Sequence, residues 1–192
     1  QYTIEQFMDN EAVGGGSFSA DKSNLLVSSN RSGIYNVYTI PTKGGEMTAI
    51  TQSDSSSIRA QSYFPNDNRM LFSADGNGDE INHLFVRELD GTIKDITPEK
   101  DAKASFYGWS EDDKHLYFGS NKRNPRYFDA YKMSIEDYSS EMIYQDDSGL
   151  SFSGMSNDEN YFALTKSLNT NDSDLSLYNV KTREMIKVND KQ

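Results

Sequence analysis

Apolar residues along this chain fall in short runs, roughly three to six long, separated every 8 to 12 positions by Gly, Asn, Asp and Ser. Runs of that length bounded by turn formers predict strands, because a surface helix needs apolar residues recurring at three- and four-residue steps over several turns. Only Thr3 to Met8 reads as a helix, with Thr3 and Gln6 as a capping box that satisfies its first free amides.

The runs repeat. SFSADKSNLLVSSN from Ser17, YFPNDNRMLFSAD from Tyr63, GWSEDDKHLYFGSN from Gly108 and GMSNDENYFALTKS from Gly154 align on Asp21, Asp67, Asp112 and Asp158, which lie 46, 45 and 46 residues apart. Phe18, Phe64, Trp109 and Met155 stand three residues before each aspartate, and Leu25, Leu71, Leu116 and Phe162 four after it, so both flanks of the turn are expected to be buried. Third strands are expected around Tyr35 to Ile40, Leu84 to Leu89, Phe128 to Met133 and Leu175 to Val180, and short fourth strands centred on Ile50, Ile96, Ile143 and Ile186. Lys43-Gly44-Gly45 and Asp90-Gly91 supply the positive φ angles that the connecting turns need.

A period near 45 residues with four strands per unit predicts an all-β fold, a β-propeller of four four-stranded blades. One small twisted sheet cannot cover its own two faces, so burial comes from blade against blade. The expected divisions are a lead-in over residues 1–12 and blades over 13–54, 55–101, 102–149 and 150–192. Four such blades predict a partial, open propeller whose uncovered edges favour self-association. Closure by Tyr2 to Gln6 as a strand would compete with the helix there.

Composition narrows the function. A formal charge of −11 and pI near 4.6 oppose binding to nucleic acid, since each phosphate contact needs a cation. The densest basic group, Lys122, Arg123 and Arg126, is interrupted by Asn124 and Pro125 and reads as a solvated loop. With no cysteine there is no disulfide, thiol nucleophile or Cys-based metal site. No apolar run approaches the roughly 20 residues of a membrane span, so the chain reads as soluble, cytoplasmic or periplasmic. Its start at Gln1 rather than Met suggests residues removed upstream, either a leader peptide or other sequence, which leans slightly to an exported protein.

Candidate chemistry is sparse. Four equivalent aspartates do not make a glycosidase pair, which needs two carboxylates in different environments; each is expected to accept amides in its turn. Asp75, Asn77, Asp79 and Glu80 resemble the opening of a calcium loop, but Glu80 stands where that loop needs Gly and Val86 where it needs Glu, so a hairpin explains them without metal. His83 and His115 begin strands of different blades and read as rim residues. Gly14-Gly15-Gly16 lacks the Gly-Lys-Ser/Thr and helix of a phosphate loop and reads as a bend entering blade one. Arg31 and Arg59, in loops, could present cations to a peptide carboxylate or simply be solvated. The expectation is no catalytic, cofactor-binding or metal residue in this chain, and no cofactor.

SFSADKSNLLVSSNRSGIYNVYTIPTKGGEMTAIT, residues 17–51, resembles the aspartate-centred repeat shared by TolB-like proteins and the prolyl oligopeptidase family of serine peptidases. SADGNGDEINHLFVRELDG, residues 73–91, is similar to a blade of that peptidase family. The resemblance implies a seven- or eight-bladed propeller, of which this chain is about half, lying as a lid over a C-terminal α/β-hydrolase domain with Ser, Asp and His. It implies a gate that admits short peptides. The segment Gly108-Trp109-Ser110-Glu111-Asp112 is no nucleophile elbow, because Asp112 replaces the final glycine. A TolB-like protein-binding propeller with no attached enzyme is the alternative.

Overall fold

The computed structural model describes residues 2–189. Among them sixteen strands form four antiparallel meanders of four strands each, preceded by one short helix, α1 (Ile4–Met8). Thr3 accepts the Gln6 amide and Gln6 returns a bond to the Thr3 amide, so the capping box forms and the helix takes residues that a closing strand would have needed. The chain divides into two compact units, up to Pro98 and from Glu99 onward.

The first unit holds β1 (Val13–Phe18), β2 (Asn24–Ser29), β3 (Asn36–Pro41) and β4 (Thr48–Ala49), then β5 (Ile58–Tyr63), β6 (Met70–Ala74), β7 (His83–Arg87) and β8 (Ile93–Asp95). Leu26 and Val37 of the first sheet pack with Tyr63, Met70 and Phe72 of the second. Each such side chain withdrawn from water contributes about 1.5–3 kcal/mol. Ser17 and Ser28 cross the same seam, accepting the amides of Tyr63 (3.0 Å) and Ala60 (2.8 Å). The fourth strands end before Ile50 and Ile96, whose amides add one further bond each to the third strands.

The second unit holds β9 (Ala104–Trp109), β10 (His115–Ser120), β11 (Asp129–Ser134) and β12 (Ser140–Tyr144), then β13 (Ser151–Met155), β14 (Tyr161–Asn169), β15 (Asp172–Asn179) and β16 (Met185–Lys187). Its seam buries Ala130 and Tyr144 against Phe162, Leu164 and Tyr178. Tyr107 stacks on Phe152 with ring centroids 4.2 Å apart, and burial, with the Asp146 charge, pushes its hydroxyl up to about 12.

The first strand of every blade carries a β-bulge, at Gly15–Gly16, Gln61, Tyr107 and Ser153. The three glycines are therefore the strand β1 itself, with Gly15 at φ 82, and not a bend ahead of it.

Not every expected flank is buried. Phe18 is 61% exposed because it pairs with Leu25, on the face of the first sheet turned away from the second. Blade two is also offset by one residue. The turn closes from Ser19 to Asn24, Ser110 to His115 and Ser156 to Tyr161, but from Phe64 to Arg69 in blade two. Tyr63 and Met70, not Phe64 and Leu71, therefore match the other flanks.

A second repeated device ties each third strand to the end of its fourth strand or the residues just after it. Asn36 accepts the Ser53 amide and the Thr51 hydroxyl, while Thr51 accepts the Val37 amide. At the matching place His83 meets Asp95 at 2.7 Å, and Thr97 accepts the Leu84 amide. Asp129, fully buried, accepts the Asp146 amide and two bonds from Arg123, at 2.7 and 2.9 Å. In blade four the direction reverses, with Asn189 accepting the Leu175 amide and donating to the Ser173 carbonyl. Two of the three basic residues of this exposed loop are thus engaged: Arg123 compensates a buried carboxylate, and Lys122 lies 3.3 Å from Glu99 and over the Tyr131 ring. His83, at the first residue of β7, is likewise engaged, its ring half-buried against Asp95.

Candidate functional site

The repeated aspartates organise turns. Asp21 accepts the Ser19 hydroxyl (2.6 Å) and the Ser23 amide (3.0 Å), and Asp158 accepts the Ser156 hydroxyl (2.6 Å) and the Asn160 amide (3.1 Å). Asp112 does the same with Ser110 (2.6 Å) and Lys114 (3.1 Å). The serine hydroxyl is the largest cause holding all three carboxyls down at about 2. The next residues, Lys22, Asp113 and Glu159, take left-handed φ of 57–58°. Asp67 is not their equivalent. Phe64 replaces the serine, Asp67 falls one place later in the turn, and Arg69 pairs with it at 2.9 Å while lying over the Phe64 ring.

Blade three brings Ser110, Asp112 and His115 together, the residue types of a hydrolytic triad, but wires them otherwise. Ser110 donates directly to Asp112 and accepts the His115 backbone amide, while His115 Nδ1 stays 3.6 Å from Asp112. A triad places histidine between serine and carboxylate. Ser110 is also buried, and the same Ser–Asp bond recurs in blades one and four without histidine.

The acidic loop lies between β6 and β7, as a hairpin. Two of its carboxylates bond to backbone: Asp79 accepts the Gly76 and Ile81 amides, and Asp75, through Oδ2, accepts that of Glu80. Among the described residues no three His, Asp or Glu side chains gather to hold a metal ion. No helix there is long and apolar enough to cross a membrane. Arg31 pairs with Glu11 at 3.4 Å, and Arg59, which lies in β5 and not in a loop, covers the Tyr35 ring at 3.2 Å. Each of the two arginines thus has a partner within the fold.

A cleft of about 290 Å³ lies in the second unit, between blades three and four. Tyr117 (β10), Lys132 (β11) and Glu141 (β12) face Phe162 (β14) and Lys181, with the Asp158–Asn160 turn at one end. Glu159 spans it, accepting the Tyr117 hydroxyl (2.6 Å), the Glu111 amide (2.8 Å) and Lys132 (3.4 Å). Burial alone would raise the Glu159 carboxyl, but these partners outweigh it and hold it low. Burial, reinforced by that carboxylate, pushes the Tyr117 hydroxyl far up, so it can donate but not act as a base. The cleft is suited to holding a polar group and has no nucleophile beside a base. Sequence reasoning singled out Asp158 and Phe162 as a turn residue and its flank, but not Tyr117, Lys132, Glu141 or Glu159. The available signal was Lys132, a charge where the matching third strands carry Thr39, Val86 and Leu177.

Residues 56–172 match the family model described as the dipeptidyl peptidase IV (DPP IV) N-terminal region. Over 108 residues the chain is 31% identical to dipeptidyl aminopeptidase BIII of Pseudoxanthomonas mexicana, spanning 54% of this chain and 15% of that protein. Among solved structures it is similar to TolB from Acinetobacter baumannii, with a TM-score of 0.65 at 17% identity over 92% of this chain and 43% of that one. It is likewise similar to prolyl oligopeptidase B from Galerina marginata, with a TM-score of 0.67 at 13% identity over 91% and 26%. The chain thus spans less than half the length of each of these relatives.

Proposed function

The chain belongs to the dipeptidyl peptidase IV N-terminal region family, and from that premise we propose that it is the non-catalytic propeller portion of a bacterial serine peptidase, gating access to a hydrolase domain carried elsewhere in the parent protein. Its partners are that α/β-hydrolase domain and the peptide passing it, and blades run over 13–54, 55–101, 102–149 and 150–192 after a lead-in over 1–12. The observation that carries the reading is the wiring of Ser110, Asp112 and His115: the Ser–Asp bond is a turn element repeated in three blades, with histidine an addition to one. A repeated turn supports a scaffold, not a reaction centre.

Two measurements test the two halves of this proposal. Residues 1–192, purified, should release nothing from dipeptidyl p-nitroanilides, and turnover that survives purification would refute the non-catalytic half. The full-length gene product, offered peptides of rising length, should slow as length grows and spare the same cleavable sequence inside a folded protein. Equal rates along that ladder would refute gating, and a gene product lacking any peptidase activity would favour the TolB-like binding reading.

A further inference from the structure

The hairpin between β6 and β7 that failed as a calcium loop carries a different chemistry. Of the sixteen asparagines in the chain, Asn77 alone is followed by glycine. It is exposed, at the tip of Asp75-Gly76-Asn77-Gly78-Asp79, and Gly78 stands at φ 85 with open space where a side chain would be. Glycine leaves its own backbone nitrogen unshielded, so that nitrogen can attack the neighbouring side-chain amide carbon.

We propose that Asn77 is a self-modifying site, deamidating through Gly78, with Ser56 as its brake. In the first step the Gly78 nitrogen forms a bond to Asn77 Cγ, loses its proton to solvent, and ammonia leaves, giving a five-membered succinimide. Water then adds to either carbonyl of that ring and opens it, giving aspartate or isoaspartate. The net exchange is one water in and one ammonia out, with no oxidant or reductant.

Asn77 sits at φ 60, and ring closure requires its backbone and side chain to rotate out of the turn. Ser56, in the segment joining β4 to β5, resists that rotation at both ends: its hydroxyl donates to Asn77 Oδ1 at 3.2 Å and accepts the Asn77 amide at 2.7 Å. The reaction therefore reads the integrity of the junction between blades one and two. Its product adds a carboxylate to a loop that already holds Asp75, Asp79 and Glu80, and Asp75 Oδ1 is already buried with no partner. Repulsion there loosens the hairpin once the amide is gone.

Incubating the folded chain for several days at mildly alkaline pH, then mapping peptides by mass and labelling isoaspartate with its methyltransferase, tests the site. Asn77 should convert ahead of the other fifteen asparagines, yet more slowly than in a synthetic peptide of residues 73–83. An intact Asn77, or another asparagine leading, overturns the site. Ser56→Ala should speed conversion about two- to tenfold, the factor of one net hydrogen bond, while Ser56→Thr keeps the original rate. The rate at Asn82, three residues past the turn, should stay unchanged, separating a released brake from general unfolding. An unchanged or slower Asn77 in Ser56→Ala overturns the brake.

Discussion

At Gly119 a methyl group would have to occupy the space held by the Tyr107 ring and hydroxyl. Tyr107 is itself fixed by its stack on Phe152, so it has little room to retreat. Gly119→Ala should destabilise the chain by about 1–3 kcal/mol, the usual cost of overpacking, read as a lower urea midpoint with unchanged slope. The turn carboxyls give a second residue-scale prediction. Asp21, Asp112 and Asp158 titrate near 2 in the fold, against an ordinary 3.8, so their stabilising contribution is complete above about pH 4 and is lost as pH falls through 2. Ser110→Ala should move Asp112 up towards its ordinary value in a carbon-detected NMR titration while Asp21 stays put; an unmoved Asp112 would assign its low value to something other than the serine. These aspartates were legible because repetition marks them. The non-equivalence of Asp67 was not, since a one-residue offset is invisible when Phe64-Pro65 fills the place of a serine and its neighbour.

Among elements, strands were legible and their irregularities were not. Turn formers at regular spacing announce a meander, but the bulges fall on Gly15–Gly16, Gln61, Tyr107 and Ser153, which share no residue type. The bulge is a property of register, set by where the neighbouring strand bonds. The tie between Arg123 and Asp129 was hidden for a related reason: six residues separate them across a loop whose composition reads as solvated. Arg123→Ala should cost about 3–5 kcal/mol by stranding a buried carboxylate. Asp129→Asn in the same background should recover part of that loss in thermal denaturation, because a neutral amide needs no counter-charge; no recovery would place the cost in packing.

At the scale of the molecule, the blade count was legible in the periodicity, and Asp112 in place of a glycine set Gly108 to Asp112 apart from a nucleophile elbow. The cleft between blades three and four stayed hidden because its walls come from different repeats, and Lys132 meets Glu159 across 27 residues of sequence. Replacing Ser110 by Ala in the full-length gene product should leave peptide hydrolysis unchanged, measured as kcat/KM; a large loss would make that serine part of the chemistry.

The ties between third strands and the segments after them bear on how such repeats change over time. The place is held by an amide in blade one, an imidazole with a carboxylate in blade two, and a guanidinium with a carboxylate in blade three. Exchanging one partner alone leaves the other stranded, so neighbouring steps in sequence space are closed even where the geometry is common. Whole repeats can be copied or shuffled intact, while a blade assembled from averaged residues inherits half of several incompatible pairs. Divergence under that constraint proceeds by paired replacement, which erodes identity between repeats faster than it erodes their shape.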